Sequence, residues 1–519
     1  MRIVYSGMFL GEGLRLLGHE ILPLSLRADL PFDALVAQAC PEPDLVLLEL
    51  WGGCVLPDAM QETRHRVAAY CIDTPLNAFW MRHFLKLCDD VFVDQQASVA
   101  QLAADGINAA WLPLCASEDD FMPSSPKEHF LTFVGRDTPQ RVKRRNLLRL
   151  LKRHLPVTVS ETLSRHAMQE LFARSQVVLN ENLFSGLTLR VFQALASGSL
   201  LLTEAGGDGV DVHFRDREHL VCYEPANILD ILSAMRRDSD AYREIARRGQ
   251  ELCRARHTSR ARARTLLERI AAGPGNNARP VGLRRIAAAK ALYFQSLRHG
   301  GSFAAAVREL AQSAGDRDAD ARDAAHVLGS IMARRGDDLA ARRHLAMASG
   351  LPGADGFIAA AKLALTFLYH GAPAEAARTL GEALRRLPGP ERDWEIPALA
   401  RAPRPSQTLF LFLARVLLSL GRVHELGLLK AATERYPDTA FEYVRLAWEQ
   451  GHTAPVLDVI LACAARSDTE SEILDILDAA IAQGVATDRQ ILASAELHTR
   501  LYSPDTAAGI LKAFRRSMH

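Results

Sequence analysis

Val177–Thr203, VVLNENLFSGLTLRVFQALASGSLLLT, holds a whole strand–loop–helix–strand unit. Its apolar run to Asn180 reads as a buried strand, and a polar loop carrying Gly186 follows. A helix is predicted from near Thr188 to Ser197-Gly198, with Ser199–Thr203 as the next strand. A strand feeding a loop that opens a helix suits phosphorylated ligands, because free N–H groups and the helix dipole face the anion. Arg190 and Gln193 stand among Leu189, Val191, Phe192, Ala194 and Leu195 near the helix start. Buried or cleft-facing polar groups need partners, and a bound nucleotide is one candidate. The plainer alternative is an ordinary helix of a parallel sheet with two solvated polar residues.

The same alternation extends in both directions. Towards the N-terminus, Ile3–Tyr5, Glu20–Leu24, Leu45–Leu50, Val67–Ile72, Val91–Val93 and Ala110–Leu114 read as strands, with a helix starting at Gly11–Leu17. The continuous apolar runs at 45–50 and 67–72 are those of buried parallel strands. Gly7, Gly11, Gly13 and Gly18 miss the GxGxxG spacing of nicotinamide sites; they suit backbone passing close to a ligand or another domain. A second α/β unit follows Pro123–Pro126, with strands at Phe130–Val134, Val157–Val159, Gln176–Leu179, Leu200–Thr203 and Leu220–Tyr223. Two open sheets in tandem leave a cleft between their strand C-termini. From Asp238 to Ile270 the chain reads as helical and Arg-rich, and Gly273–Gly282, GPGNNARPVG, reads as a linker.

Past the linker, strand signals stop and Ala, Leu and Arg recur with helical period. Gly301, Gly336 and Gly371 stand 35 residues apart, each followed by an alanine-rich helix: FAAAVREL, DLAARRHLAMA and PAEAARTLGEAL. After a Pro-rich insertion at Pro388–Pro405, Gly421, Gly451 and Gly484 continue at intervals of 30 and 33. This period is the signature of tetratricopeptide-like repeats, here five to seven, which stack into a concave surface for partners. A plain helical bundle is the alternative.

Composition is that of a water-soluble globular chain: 519 residues, 48% hydrophobic, 24% charged, net charge +1. That balance points neither to nucleic acid nor to a membrane surface. The eight cysteines are scattered singly, with no zinc-ligand spacing, which predicts buried thiols in a reducing compartment. MRIVYSGMFL reads as a strand rather than a signal peptide, and the greasiest run, Leu409–Leu420, is broken by Arg415 and too short to span a bilayer. A cytoplasmic protein without a membrane span is expected, and homo-oligomer formation is left open.

Cations cluster where the second unit opens: Gly135-Arg136, then Arg141, Lys143, Arg144 and Arg145. A strand ending in Gly-Arg, followed by cations at a helix start, can clamp a diphosphate. Several of Lys143, Arg144, Arg149, Lys152 and Arg153 are expected on solvated helix faces instead.

FVGRDTPQR (Phe133–Arg141), LNENLFSGLTLRVFQALASGSLLLTE (Leu179–Glu204) and HTSRARA (His257–Ala263) resemble the CgeB-like branch of the group 1 (family 4) glycosyltransferases. LLGHE (Leu16–Glu20) and IDTPLNAFW (Ile72–Trp80) are similar to further segments of such enzymes, so the resemblance spans residues 1–270 in outline. It implies an α/β two-Rossmann (GT-B) glycosyltransferase, here followed by an all-α tetratricopeptide-like solenoid. The expected divisions are 1–125 (acceptor side), 126–272 (donor-binding, with a helix crossing back within Arg254–Arg269), linker 273–282 and repeats 283–519.

The resemblance further implies a nucleotide-sugar donor, with a UDP-, GDP- or dTDP-sugar as substrate and no other cofactor. Arg136, Arg141 and Arg190 would neutralise its diphosphate together with the loop N–H groups around Gly186, Leu187 and Thr188, beside Asn180. Gln193 stands where a ribose-gripping glutamate is usual, and Ser185 where the family has a second glutamate. Related enzymes retain anomeric configuration; an inverting course would need a base, for which Asp73 and then His83 are the candidates, with helix capping the competing role for Asp73. The metal-binding DxD arrangement of the other glycosyltransferase fold is not evident, so metal independence is expected. The Arg-rich run at 254–269 has no interleaved aromatics, which speaks against nucleic acid. The repeats suggest a protein or peptide acceptor, such as bacterial flagellin or an adhesin. The competitors are a surface-polysaccharide transferase and an inactive scaffold.

Overall fold

The uninterrupted apolar runs at 45–50 and 67–71 become the middle of a parallel sheet, where helices cover both faces. The computed structural model describes residues 1–123, 125–138, 141–181, 186–273, 281–299, 303–313, 319–423, 435–463 and 470–517. The first sheet holds β1 (Arg2–Ser6), β2 (Glu20–Pro23), β3 (Leu45–Leu50), β4 (Val67–Cys71), β5 (Asp90–Val93) and β6 (Ala109–Trp111), in the order β2-β1-β3-β4-β5-β6. All pairings are parallel, with Ile3 opposite Leu45 and Val46 opposite Val67. Its helices are α1 (Gly11–Leu16), α2 (Phe32–Ala39), α3 (Thr74–Phe84) and α4 (Gln96–Ala104).

The second sheet holds β7 (His129–Val134), β8 (Val157–Ser160), β9 (Ser175–Asn180), β10 (Leu200–Glu204) and β11 (Val221–Tyr223), ordered β11-β10-β9-β7-β8 and again parallel. Around it lie α5 (Val142–His154), α6 (Arg165–Ala173), α7 (Leu189–Ala196), α8 (Val210–His213), α9 (Ile228–Arg237), α10 (Ser239–Arg256) and α11 (Ser259–Ala271). Helix α7 buries Val191, Phe192 and Leu195 completely, a gain of about 1.5–3 kcal/mol for each side chain. The two sheets with their helices fit a GT-B two-Rossmann arrangement.

The stretch 238–270 is not one helical run. It breaks at His257-Thr258, where Ala116 N–H donates to the His257 carbonyl (2.9 Å) and Ser259 N–H donates to the Ala116 carbonyl (2.8 Å). The Thr258 side chain then caps α11, which crosses back onto α1. Gly13 is glycine because a Cβ there would lie 2.2 Å from the Ser259 carbonyl oxygen. Arg262, inside the Arg-rich run, is buried and donates to the carbonyls of Pro113 (2.8 Å) and Leu114 (3.3 Å). The eight cysteines are free thiols, and only Cys54 and Cys222 are partly exposed.

Helices alone make up the rest of the described chain. They are α12 (Val281–His299), α13 (Phe303–Ser313), α14 (Ala319–Arg335), α15 (Asp338–Ala348), α16 (Gly353–Tyr369) and α17 (Pro373–Leu384), then α18 (Pro405–Ser419), α19 (Ala440–Gln450), α20 (Ala454–Cys463), α21 (Glu470–Ala482), α22 (Asp488–Arg500) and α23 (Pro504–Ser517). Sequential neighbours pack together. Gly336, Gly371, Gly421 and Gly484 follow helices with φ of 79°, 74°, 73° and 68°, the left-handed C-terminal stop that favours glycine. Gly451 differs: its φ is 167°, and a side chain there would strike Arg404. Gly301 and linker residues 274–280 lie outside the described residues, while Val281 and Gly282 belong to α12 rather than to a linker. No helix among the described residues is long and apolar enough to cross a membrane.

This helical region touches both sheets. Ala287, Ala288 and Ala291 of α12 share a core with Phe79, Trp80 and Phe84 of α3. At the far end, Tyr502 joins the core of Tyr223, and Asn146 of α5 donates to the Leu501 carbonyl (2.9 Å).

Gly13→Ala is expected to lower stability by about 1–3 kcal/mol through overpacking, more than any gain in helix propensity. Gly509→Ala, where nothing lies within 4 Å of the added methyl, is the control and should be neutral or stabilising. Urea midpoints of the two variants against the parent chain check both.

Candidate active site

Strand β9 sits between β7 and β10, so Asn180 emerges at the carboxyl edge of the sheet where the cleft lies. Asn180 is fully buried and organises that edge. Its amide donates to Thr203 Oγ1 (3.0 Å), its Oδ1 accepts from Thr188 Oγ1 (3.2 Å), and its carbonyl accepts from Tyr223 Oη–H (3.1 Å). Because Thr188 turns its hydroxyl to Asn180, its side chain does not cap α7; Val191 N–H bonds back to the Thr188 carbonyl (3.1 Å), and the positive end of the helix faces the cleft. Gly186 lies against the Gln95 side chain: an added Cβ would lie 1.9 Å from Gln95 Oε1, so a larger residue would displace that amide. Gln95 Nε2 also donates to the Leu187 carbonyl (3.2 Å), tying the first sheet to this loop. Leu187 itself points into the core. Ser185 lies outside the described residues.

The cations gather around one ring and one carboxylate. Arg190 donates to the Val134 carbonyl, lies 5.0 Å from the Phe133 ring centroid, and keeps its Nε buried without a partner. Gly135 leaves room for it, since a Cβ there would be 2.9 Å from Arg190 Nη2. Arg144 lies 5.1 Å from the same ring, pairs through Nε with Glu181 (2.7 Å), and donates to the Arg136 carbonyl (2.8 Å). Burial, then the Arg144 charge, pulls Arg190 down to about 10. Burial and Arg144 lower Arg141 likewise, opposed by Glu181 and by Asp73 across the cleft. Arg141, Arg144 and Arg190 thus share Glu181, which leaves a positive excess beside the start of α7, with Arg136 exposed next to it.

Of the cations expected in part on solvated helix faces, Arg149, Lys152 and Arg153 are exposed, while Arg144 is buried and paired with Glu181. Glu181 went unflagged, although a carboxylate directly after a buried strand was a signal that it needed a cationic partner. Gln193 lies one turn beyond Arg190 on α7 and is almost fully buried. Lys143 pairs with Glu204 at 2.5 Å.

Across the cleft, Asp73 precedes α3 in the left-handed region (φ 54°), yet its side chain makes no capping bond. Asp94 takes that role instead. Its carboxylate accepts from Asp73 N–H (2.8 Å), Thr74 N–H (3.2 Å), the Thr74 hydroxyl (2.7 Å) and Gln95 Nε2 (3.0 Å). The capping role weighed for Asp73 is therefore displaced, and its carboxylate stays exposed in the cleft. Crowding by surrounding protein and repulsion from Asp94 push it up to about 6, with Arg141 pulling the other way. His83 is placed elsewhere. It lies ten residues, about 15 Å, further along α3, buried and stacked on Phe294 of α12 at 5.0 Å, where burial holds it neutral.

One further group escaped the sequence reading. Glu49, buried at the end of β3, accepts from Tyr5 Oη–H (2.6 Å) and from the N–H groups of Met8 (2.6 Å), Phe9 (2.9 Å) and Leu10 (2.8 Å). It fixes the loop after β1, and Gly7 leaves space for it. Among the described residues no three His, Cys, Asp or Glu side chains are grouped as a metal site.

Arg144→Met should cost about 3–5 kcal/mol, because it strands Glu181 without its buried partner. The double variant Arg144→Met/Glu181→Met should recover most of that loss. Chemical denaturation of the two variants measures the difference.

Residues 132–268 match the glycosyl transferase-like family model, from within β7 to within α11. No curated protein matches the chain. Among solved structures, it is similar to Anabaena Alr3699/HepE in complex with UDP, at 12% identity and TM-score 0.40, covering 53% of this chain and 100% of that one. It is similar to sucrose-phosphate synthase from Thermosynechococcus elongatus, at 12% identity and TM-score 0.39, with the same coverage of 53% and 100%. It is also similar to the pneumococcal O-GlcNAc transferase GtfA in complex with UDP and GlcNAc, at 11% identity and TM-score 0.31, covering 44% of this chain and 56% of that one. The glycosyl transferase-like stretch contains Arg136, Arg141, Gly186, Arg190 and Gln193, and leaves Asp73 outside.

Proposed function

We propose that this chain transfers a sugar from a nucleotide-sugar donor to a protein hydroxyl, such as one on flagellin or another surface protein modified before export. The observation that carries this reading is the positive excess around Glu181, beside the uncapped start of α7 and inside the glycosyl transferase-like stretch. The donor diphosphate lies against Arg136, Arg141 and the N–H groups from Gly186 into α7, with Arg190 behind them and Gln193 reaching the ribose hydroxyls. Ser185 belongs to the same donor loop. The chemistry needs no metal: preorganised cations and helix N–H groups stabilise the charge that develops on the leaving diphosphate.

In the transfer, the acceptor hydroxyl oxygen bonds to the anomeric carbon as the bond from that carbon to the diphosphate oxygen breaks. The electron pair leaves with the nucleoside diphosphate; on an inverting course the hydroxyl proton passes to Asp73, whose carboxylate is released from capping by Asp94. The tetratricopeptide-like repeats recruit the acceptor.

A thermal-shift screen with UDP-, GDP- and dTDP-sugars should show stabilisation by one base type, lost in Arg141→Ala. A chain that responds to none of them is a scaffold rather than an enzyme, the outcome that Gln193 in place of glutamate favours.

Transfer should rise with pH through an inflection at about 6, because Asp73 accepts a proton only when ionised. Asp73→Asn should flatten that profile. A parent chain with no inflection assigns the proton to the departing diphosphate, the course expected for retention of configuration.

A further inference from the structure

A cavity of about 490 Å³ lies between the first α/β unit and the helical region, within the size range of ligand sites. Thr74, Ala78 and Arg82 form one wall, spaced one turn apart along about 12 Å of α3, and Thr74 directly follows Asp73 in the chain. The facing wall comes from α12, α14 and α16, which contribute Lys290, His326 and Ile358 among others. We propose that this cavity seats an extended, uncharged polypeptide segment and leads its hydroxyl side chain to Asp73. The inference rests on the transferase reading above and names where the acceptor lies.

Charge complementarity selects the occupant. Lys290 pairs with Asp323 at 2.6 Å, and Lys362, almost fully buried, pairs with Asp438 and donates to Ser330 Oγ at 2.8 Å. Arg82 pairs with Asp105 at 2.9 Å and Arg422 with Asp355 at 3.1 Å. Each of these four cations already holds a carboxylate, and Arg334 donates to the Tyr293 hydroxyl, so a neutral ligand leaves every one of these contacts intact. The aromatic rings argue against a saccharide. Phe294 stacks on His83, Tyr293 packs edge-on to Phe294, and the Tyr293 hydroxyl accepts from Arg334, so neither ring offers a flat open face. His326 supplies the unmet demand: its Nε2 is buried in the wall without a hydrogen-bond partner. Backbone amides, with one donor and one acceptor per residue, match such a wall.

The full chain is immobilised and offered dodecapeptide pools built from Gly, Ala, Ser, Thr, Asn and Val, matched pools that add Lys and Glu, and maltooligosaccharides. Retained material is read by mass spectrometry. The uncharged pool should be retained about tenfold over the charged one, and His326→Phe should remove that advantage. His326→Phe should not lower the melting temperature, since Nε2 gives up no protein partner; a merely structural histidine would lower it. Ile358→Trp, which fills the cavity, should act like His326→Phe. Equal retention by the parent chain and His326→Phe, retention of no pool, or preference for maltooligosaccharides overturns the inference. The nucleotide-sugar thermal shift is recorded on the same samples. If it persists while the pools are not distinguished, only the acceptor cavity fails; if the parent chain shows no shift, the transferase reading fails.

Discussion

Everything in the α/β half depends on a short exchange of backbone hydrogen bonds at Ala116. By accepting from Ser259 N–H and donating to the His257 carbonyl, Ala116 stops α10 and starts α11 where the first sheet hands over to the second. The pinned chain then turns back, and α11 lies against α1 with Gly13 at the contact. Arg262 reinforces the joint through the carbonyls of Pro113 and Leu114. That return, together with Gln95 bonded to the Leu187 carbonyl and a core shared by both sheets, sets their carboxyl edges across one cleft.

The cleft itself is organised by buried carboxylates, each costly to desolvate and each fully engaged. Glu49 gathers the N–H groups of the loop after β1, Asp94 holds the start of α3, and Glu181 holds Arg144 on the Phe133 ring. Their common effect is to leave other groups free. Asp94 releases the Asp73 carboxylate, and Glu181 neutralises only part of the arginine cluster. The Asp73 carboxylate is therefore exposed because a second carboxylate, Asp94, stands behind it and holds the start of α3.

Strand positions were legible in the sequence because buried parallel strands demand continuous apolar runs, and β3, β4 and β9 obey. The uncapped helix after Gly186 was legible for a similar local reason. What escaped depended on partners distant in sequence. Asp73 before Thr74-Pro75 looks like a cap until Asp94, just past the end of β5, takes the N–H groups. Arg144 looks like one more surface cation until Glu181 meets it 37 residues later. His83 looks available in the α3 sequence until Phe294 covers it. Local pattern fixes elements, whereas charge pairing between elements decides which polar side chains remain for chemistry.

The helical region is fastened at two places, through α12 onto α3 and through Leu501 and Tyr502 onto α5 and the core of β11. One anchor lies on each side of the cleft. Mechanically, the helices bridge the two sheets in parallel with the pinned joint at Ala116, so separating the sheets would strain the array. Stacked helices that contact mainly their neighbours spread such strain over many small interfaces. Any displacement of one sheet against the other has therefore to be absorbed by the helices between the two anchors.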